Sequence, residues 1–156
     1  IDGIMTDGTL YYSARGDTLK TFNVHDGLGI SFLKQAGLKL AVITGRKSTM
    51  VMRRAKDLGI PYVYQGAINK IAPYEHLIKK LQFTDNDVAY VGDDLLDLPL
   101  IRRVKLGITV PQAPEYIKQH ANWVTEKPGG SGAVREICDL ILKAQGRFDT
   151  ILAHYL

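Results

Sequence analysis

The feature that most constrains this chain is a short apolar run that ends in a cluster of carboxylates. Residues 88–91 are apolar enough to form a buried strand, and Gly92, Asp93, Asp94 and Asp97 follow directly. Like charges gathered at the end of a buried strand repel one another and lose hydration. A hard cation that prefers oxygen ligands, such as Mg²⁺, is the simplest way to neutralise them. The alternative interpretation is a solvated loop whose aspartates cap a helix.

Short apolar runs alternate with segments of helical periodicity, and this pattern predicts an α/β fold with a parallel sheet. The predicted strands cover residues 39–43, 62–64, 88–91, 106–109 and 123–124. In open parallel sheets, ligand sites lie at the carboxyl ends of the strands. The residues that follow these runs are therefore the first candidates for function.

Three helices are predicted between the strands. One begins near Ser48, whose side chain can cap it, and ends at Leu58 before a glycine. A second runs over residues 73–81, with proline in its first turn. The third follows Gly132 and has a regular apolar face, formed by Val134, Ile137, Cys138, Ile141 and Leu142.

Two segments depart from the alternation of strand and helix. Residues 9–12 and 20–24 are rich in β-forming residues and flank a glycine-containing turn at residues 13–17. This pattern predicts a hairpin that projects from the sheet. Residues 146–156 contain more apolar side chains than a free tail needs, so this tail is either packed or a frayed end.

Composition narrows the classes of function. With 156 residues the chain fits a single domain over residues 1–156. No apolar stretch approaches the roughly 20 residues of a membrane span. The basic residues behind the net charge of +4 are scattered, so nucleic acid is not an expected partner. Cys138 is the only cysteine, which rules out an internal disulfide and fits a reducing, cytoplasmic setting.

Polar residues follow the expected strands in a fixed order. Asp2 lies at the start of the chain, Thr44 follows the first predicted strand, Lys70 follows the second, and the acidic cluster follows the third. A hydroxyl, an ammonium group and metal-binding carboxylates together suit a phosphoryl group, whose oxygens need donors and whose developing charge needs a cation. Taken singly, Thr44 could be a turn residue and Lys70 a surface lysine.

This ordered set resembles the haloacid dehalogenase superfamily of phosphotransferases, whose motifs correspond here to Asp2, Thr44, Lys70 and residues 93–97. Residues 22–27, 43–46, 90–94 and 129–136 further resemble the family of 3-deoxy-D-manno-octulosonate 8-phosphate phosphatases. Phosphatases of related sugar acids, such as sialic acid 9-phosphate, share much of the pattern.

The resemblance implies a Rossmann-like, three-layer parallel sheet with a projecting β-hairpin and no large cap domain. It also implies a homotetramer with active sites at subunit interfaces, in which the C-terminal tail can reach a neighbouring site. The implied substrate is a phosphorylated sugar acid and the implied cofactor is Mg²⁺.

In the family motif Asp-x-Asp, the first aspartate is the nucleophile. Asp2 corresponds to the second aspartate, so we expect the nucleophile and most of the first strand to precede Ile1. The printed sequence would then be truncated at its N-terminal strand. The alternative is a degenerate relative that binds its ligand but forms no phosphoenzyme.

The resemblance also assigns roles to individual residues. Asp2 would act as general acid and base, and its backbone carbonyl would bind Mg²⁺ together with Asp93. Thr44 and Lys70 would hold phosphoryl oxygens. Asp94 and Asp97 would orient the residues that bind the metal without binding it themselves. The substrate contacts, shared with Asp2 and Lys70, are Asn23, Val24, His25, Asp26, Gly27, Arg46 and Arg54.

Two departures from the family pattern concern the substrate. His25 stands where arginine is common, and Ser31 where a basic residue is common, which weakens the expected contacts to an acidic sugar. His25 could instead be a residue at the hairpin base, and Arg54 a solvated helix residue. The competing functions are a receiver-type signalling domain and a non-catalytic assembly domain. Receiver domains place their lysine last, whereas Lys70 precedes the acidic cluster.

Overall fold

The computed structural model of the protein describes residues 1–156, except for the side chains of residues 17 and 18. Short strands alternate with helices, as the apolar pattern predicts. In chain order the elements are β1 (Tyr11–Ser13), β2 (Gly16–Leu19), α1 (Val24–Gln35), β3 (Ala41–Ile43), α2 (Thr49–Asp57), β4 (Tyr62–Tyr64), α3 (Ile71–Leu81), β5 (Ala89–Val91), α4 (Leu98–Arg103), β6 (Leu106–Thr109), α5 (Glu115–Lys118), β7 (Trp123–Val124), α6 (Ala133–Ala144) and α7 (Phe148–Leu152).

All five predicted strands are present and pair in parallel, which confirms the α/β fold class. They form two sheets, one of β3 and β4 and one of β5, β6 and β7. Within the described backbone, no further strand joins the two sheets. The segment that leads into the site, residues 1–6, forms a tight turn. The amides of Ile4, Met5 and Thr6 all donate to the carbonyl of Ile1, so this segment offers no extended edge to either sheet.

The projecting hairpin exists, but its second arm lies elsewhere than predicted. Strands β1 and β2 are antiparallel, with Ser13 opposite Gly16, so the turn is shorter than predicted. The prediction of a strand over residues 20–24 was wrong. Asn23 accepts hydrogen bonds from the amides of His25 and Asp26 and thereby caps α1, a helix that the sequence analysis missed. Asparagine is among the best N-cap residues, and this preference outweighs the β propensity of its neighbours.

Helix α2 begins directly after Ser48, but the predicted side-chain cap does not form. The Ser48 hydroxyl is buried without a hydrogen-bond partner. The Gln65 side chain instead accepts from the Ser48 amide at 2.7 Å and donates to the Ser48 carbonyl at 3.0 Å. The start of α2 is therefore fixed by the residue that follows β4, which ties the two strand ends together.

The main core includes the interface between α1 and α6. Ile30, Leu33, Val134, Cys138 and Leu142 are buried there, which confirms the predicted apolar face of α6 and the core position of the cysteine. The tail is packed at α7, where Ile151 is buried. Among the described residues, every helix is too short or too polar to cross a membrane.

Candidate active site

The carboxylates after β5 are arranged by a glycine. At Gly92 a Cβ atom would lie 2.3 Å from the Cβ of Asp97, so only glycine lets Asp97 fold back against the end of the strand. Asp97 is buried and immediately precedes α4. Asp94 is exposed, and its carboxylate accepts the amide of Leu95. The acidic cluster is thus divided into a buried part and a solvated part.

Asp97 lies at the centre of a buried polar group. The ammonium group of Lys70, which follows β4, lies 2.5 Å from Oδ1 of Asp97. The hydroxyl of Tyr90 donates to the same oxygen at 2.5 Å. The amide of Asp93 donates to Oδ2 at 3.3 Å. Lys70 is only 9% exposed, so the alternative of a surface lysine does not hold.

Asp93 is half-buried and points toward the start of the chain. A Cβ atom at Gly3 would lie 1.8 Å from Oδ2 of Asp93, so the backbone after Asp2 reaches this carboxyl only because residue 3 is glycine. Burial, followed by the negative charge of Asp97, raises the pKa of Asp93 to about 6. The carboxylate of Asp93 is therefore costly to keep ionised in the absence of a cation.

Asp2 is held by two cations. Oδ1 of Asp2 lies 2.6 Å from the ammonium group of Lys20, whose side chain is 3% exposed. Oδ2 lies 3.7 Å from Nε of Arg46, and Arg46 also donates to the hydroxyl of Tyr12 at 2.8 Å. Lys20 and Tyr12 are residues that the sequence analysis missed. Nothing in the hairpin pattern distinguished them, because their role depends on how the hairpin folds over the turn at residues 1–6.

Thr44 directly follows β3 and is buried. Its amide donates to the carbonyl of Tyr64, and its hydroxyl accepts the amide of Arg46 at 3.4 Å. The turn geometry considered for Thr44 is therefore present, and its contact with a phosphoryl oxygen stays a prediction. Thr44 is thereby linked through Arg46 to Asp2, at the carboxyl ends of β3 and β4.

The predicted substrate residues around α1 form a second group. Val24 and His25 are exposed in the first turn of α1. Arg54 donates to the carbonyl of Asn23 at 3.3 Å and lies 5.6 Å from the centre of the Phe22 ring. A Cβ atom at Gly27 would lie 2.5 Å from a terminal nitrogen of Arg54, so glycine makes this approach possible. Arg54 is thus anchored against α1 and is not a solvated helix residue.

Asp26 belongs to this group in sequence but points into the interior. It is 1% exposed, and its Oδ1 accepts the amide of Arg135 at 2.9 Å in the first turn of α6. Its Oδ2 is buried without a partner, and burial raises the pKa of this carboxyl. A sugar contact for Asp26 stays a prediction. The structure gives this carboxyl a different task, which is to cap α6 from α1.

The residues around Asp93 fit a divalent cation. Among the described residues, Lys70 neutralises Asp97, whereas Asp93 forms no ion pair with a side-chain cation. Within the same residues no three histidine, cysteine, aspartate or glutamate side chains form a ready-made cage. Mg²⁺ needs no such cage, because it keeps several waters and binds through one or two carboxylates. Asp93 meets this requirement, because its ionised carboxylate is unfavourable without a cation and lies beside the backbone of residues 2 and 3.

Comparison with known proteins gives consistent matches. Residues 62–137 match the family of haloacid dehalogenase-like hydrolases. The chain is 44% identical over 149 residues to the 3-deoxy-D-manno-octulosonate 8-phosphate phosphatase of Escherichia coli K12, and the match covers 96% of this chain and 79% of that relative.

Two solved structures show the same likeness. The 3-deoxy-D-manno-octulosonate 8-phosphate phosphatase of Moraxella catarrhalis, in complex with a magnesium ion, a phosphate ion and a KDO molecule, has a TM-score of 0.97 and 47% identity, with 100% of this chain and 90% of that chain covered. The cobalt-bound deoxy-D-mannose-octulosonate 8-phosphate phosphatase of Haemophilus influenzae has a TM-score of 0.92 and 41% identity, with 95% and 86% covered.

Proposed function

Because the chain belongs to the family of 3-deoxy-D-manno-octulosonate 8-phosphate phosphatases, within the haloacid dehalogenase-like hydrolases, we propose that it hydrolyses this sugar phosphate to the free sugar acid and phosphate in a Mg²⁺-dependent reaction. One observation carries the proposal: Arg46 joins Thr44 to Asp2, Asp97 joins Lys70 to Asp93, and the backbone of Gly3, directly after Asp2, lies against the Asp93 carboxyl, so that the two groups form one set. Such a set combines phosphate donors, an acid–base group and a cation ligand.

The side chain of Asp93 and the backbone carbonyl of Asp2 would hold Mg²⁺. When bound, the ion supplies positive charge that reduces the repulsion between the carboxylates and the incoming phosphate. Asp2 protonates the leaving alkoxide and then takes a proton from the water that attacks the phosphoenzyme. In the family motif, the attacking carboxylate is the aspartate that precedes the position of Ile1. Lys20 and Arg46 lie against the two oxygens of Asp2 and fix the orientation of its carboxyl group.

Lys70 and Thr44 bind the phosphoryl oxygens. The ammonium group of Lys70 is kept at the site by Asp97, which is itself held by Tyr90 and by the amide of Asp93. Arg46 and Arg54 are suited to the carboxylate of the sugar acid, because a planar guanidinium can bind both of its oxygens. Asn23, Val24, His25 and Gly27 complete the proposed substrate surface, whereas the buried carboxyl of Asp26 caps α6.

The proposed assembly is a homotetramer with active sites at subunit interfaces, working in the cytoplasm. Support for assembly comes from a group of apolar side chains on and beside the hairpin that are 40% to 75% exposed: Leu10, Tyr11, Tyr12, Leu19 and Val24. Several large apolar side chains left exposed on one short segment are typical of interaction sites.

The test is phosphate release from 3-deoxy-D-manno-octulosonate 8-phosphate, measured on the protein with its Asp-x-Asp motif complete. We expect release with Mg²⁺, none after EDTA, and none from Asp93→Ala with Mg²⁺ restored. Sialic acid 9-phosphate serves as the competing substrate, with an expected kcat/KM at least tenfold lower. Activity that survives both EDTA and Asp93→Ala would contradict the proposed metal site, and a preference for the competitor would reassign the substrate.

A further inference from the structure

We propose that Tyr90 is a positioning residue for the phosphatase reaction: its hydroxyl fixes the carboxylate of Asp97, and Asp97 in turn fixes the ammonium group of Lys70 at the site. This inference rests on the proposed function, because it assigns Lys70 to the phosphoryl group. Tyr90 itself contacts Asp97 and has no assigned contact with the substrate.

The ring of Tyr90 is anchored on both sides. Tyr90 is the central residue of β5 and pairs with Gly107 of β6. Its ring packs against both apolar clusters of the core, one of which consists of Tyr74, Leu100 and Val104. A side chain held in this way cannot swing, so the position of its hydroxyl is set by the packing of the sheet.

The hydroxyl of Tyr90 meets a carboxylate that is already engaged. Oδ1 of Asp97 receives both the phenol and the Lys70 ammonium group, each at 2.5 Å, and Oδ2 receives the amide of Asp93. Short hydrogen bonds to an ionised acceptor are stronger than neutral ones. With three donors on its two oxygens, Asp97 cannot rotate without breaking at least one of these bonds.

The phenol is suited to this task because it stays protonated. Burial, followed by the nearby charge of Asp97, raises the pKa of Tyr90 well above its ordinary value. A phenylalanine would satisfy the apolar packing of the ring equally well. What tyrosine adds at this position is one donor, directed at the carboxylate that holds Lys70.

The first test is Tyr90→Phe, which removes the donor and keeps the ring. We expect kcat to fall about tenfold, in line with the loss of a hydrogen bond to a charged group, while KM changes less than twofold. The matched control is Tyr62→Phe, which removes a hydroxyl from a half-buried tyrosine on β4 whose ring lies under Lys80. The control should retain its kcat. A Tyr90→Phe protein with wild-type kcat would overturn the proposal.

A double-mutant cycle with Asp97→Ala, which removes both acceptor oxygens, separates positioning from general destabilisation. If Tyr90 acts through Asp97, adding Tyr90→Phe to the Asp97→Ala protein should lower kcat less than twofold further. A full additional tenfold loss would show that Tyr90 acts by another route and would overturn the proposal.

A readout without turnover distinguishes failure of this inference from failure of the proposed function. A hydroxyl proton held in a buried hydrogen bond to a carboxylate exchanges slowly with water and should give a resolved downfield proton resonance that disappears in Tyr90→Phe and shifts in Asp97→Asn. An inactive wild-type protein with this resonance would refute the function but keep the link from Tyr90 to Asp97. A wild-type protein without the resonance would refute the link.

Discussion

At the scale of single residues, the site is organised by buried cations that each face one carboxylate. Lys70 faces Asp97 at 2.5 Å, and Lys20 faces Asp2 at 2.6 Å. In a largely dehydrated setting, removing one member of such a pair leaves an uncompensated charge, which costs more than the pair contributes. A substitution at these positions therefore changes stability as well as chemistry, and an experiment has to separate the two.

Lys70→Ala provides that separation. We expect phosphatase activity to be lost, and the free energy of unfolding to fall by about 3–5 kcal/mol because Asp97 is left unpaired. The double variant Lys70→Ala with Asp97→Ala should recover much of the stability in thermal unfolding and none of the activity. If the double variant regained activity, Lys70 would have no part in the chemistry.

The raised pKa of Asp93 predicts that the stability of the metal-free protein depends on pH, and Mg²⁺ should reverse this dependence. Its pKa in the folded protein, about 6, lies above the ordinary 3.8, so its contribution to stability is fully present below the ordinary value and is lost as the pH rises through about 6. In EDTA at pH 8, Asp93→Asn should therefore melt several degrees above wild type. Addition of Mg²⁺ should raise the melting temperature of wild type at pH 8, less at pH 5, and not that of the variant.

An unchanged melting temperature of Asp93→Asn in EDTA would show that the carboxylate is not costly in the folded protein. A Mg²⁺-induced rise in the variant equal to that of wild type would place the cation elsewhere. Asp94→Asn is the matched control, because it removes a neighbouring carboxylate that is exposed.

At the scale of elements, glycines and side-chain caps decide how the strand ends approach one another. Gly3 admits Asp93, Gly92 admits Asp97, and Gly27 admits Arg54. The first and third of these contacts join residues far apart in the chain, and the second folds the segment between β5 and α4 back on itself. The packing of α1 on α6 is fixed in a related way, since the buried carboxyl of Asp26 receives the amide of Arg135 at the start of α6.

Two substitutions at Asp26 test this cap. Asp26→Ala removes the acceptor and should lower the free energy of unfolding by about 1–2 kcal/mol. Asp26→Asn keeps an oxygen acceptor and removes a carboxylate whose raised pKa makes its charged form unfavourable near neutral pH. In urea unfolding at pH 7, the free energy of unfolding of Asp26→Asn should therefore be close to that of wild type, and that of Asp26→Ala should be clearly lower than both. Equal stability of all three proteins would show that the cap contributes little.

At the scale of the whole molecule, the hairpin faces two ways. Tyr12 and Lys20 reach the site of their own chain, whereas Leu10 and Leu19 are 41% and 50% exposed. Through the first pair, a hairpin outside the parallel sheets contacts the candidate active site. The second pair offers apolar surface for assembly.

Leu10→Ser combined with Leu19→Ser should shift the protein from the proposed tetramer to smaller species in sedimentation velocity. Serine at these positions removes apolar surface that only a partner would bury. Leu140→Ser is the matched control, because Leu140 is 39% exposed on α6, away from the hairpin. An unchanged sedimentation coefficient in the double variant would exclude the hairpin from the interface.

The sequence by itself determined the α/β class, the bounds of β4, β6 and β7, the apolar face of α6, and the polar residues at the strand ends. These properties depend on local periodicity and on the order of residues along the chain, which do not change on folding. The helix after Asn23 was missed, although its N-cap asparagine is a local signal of the same kind.

Only the tertiary structure decided which charged groups meet. Lys20 pairs with Asp2, Tyr90 and Lys70 share one oxygen of Asp97, and Asp26 turns away toward α6. These partners are separated along the chain and meet only because the backbone segments that carry them approach closely. That approach depends on glycines, which have no side chain in the way, and on packing from several elements at once. No local pattern encodes such a distance, so the identity of each ion pair is a property of the folded chain.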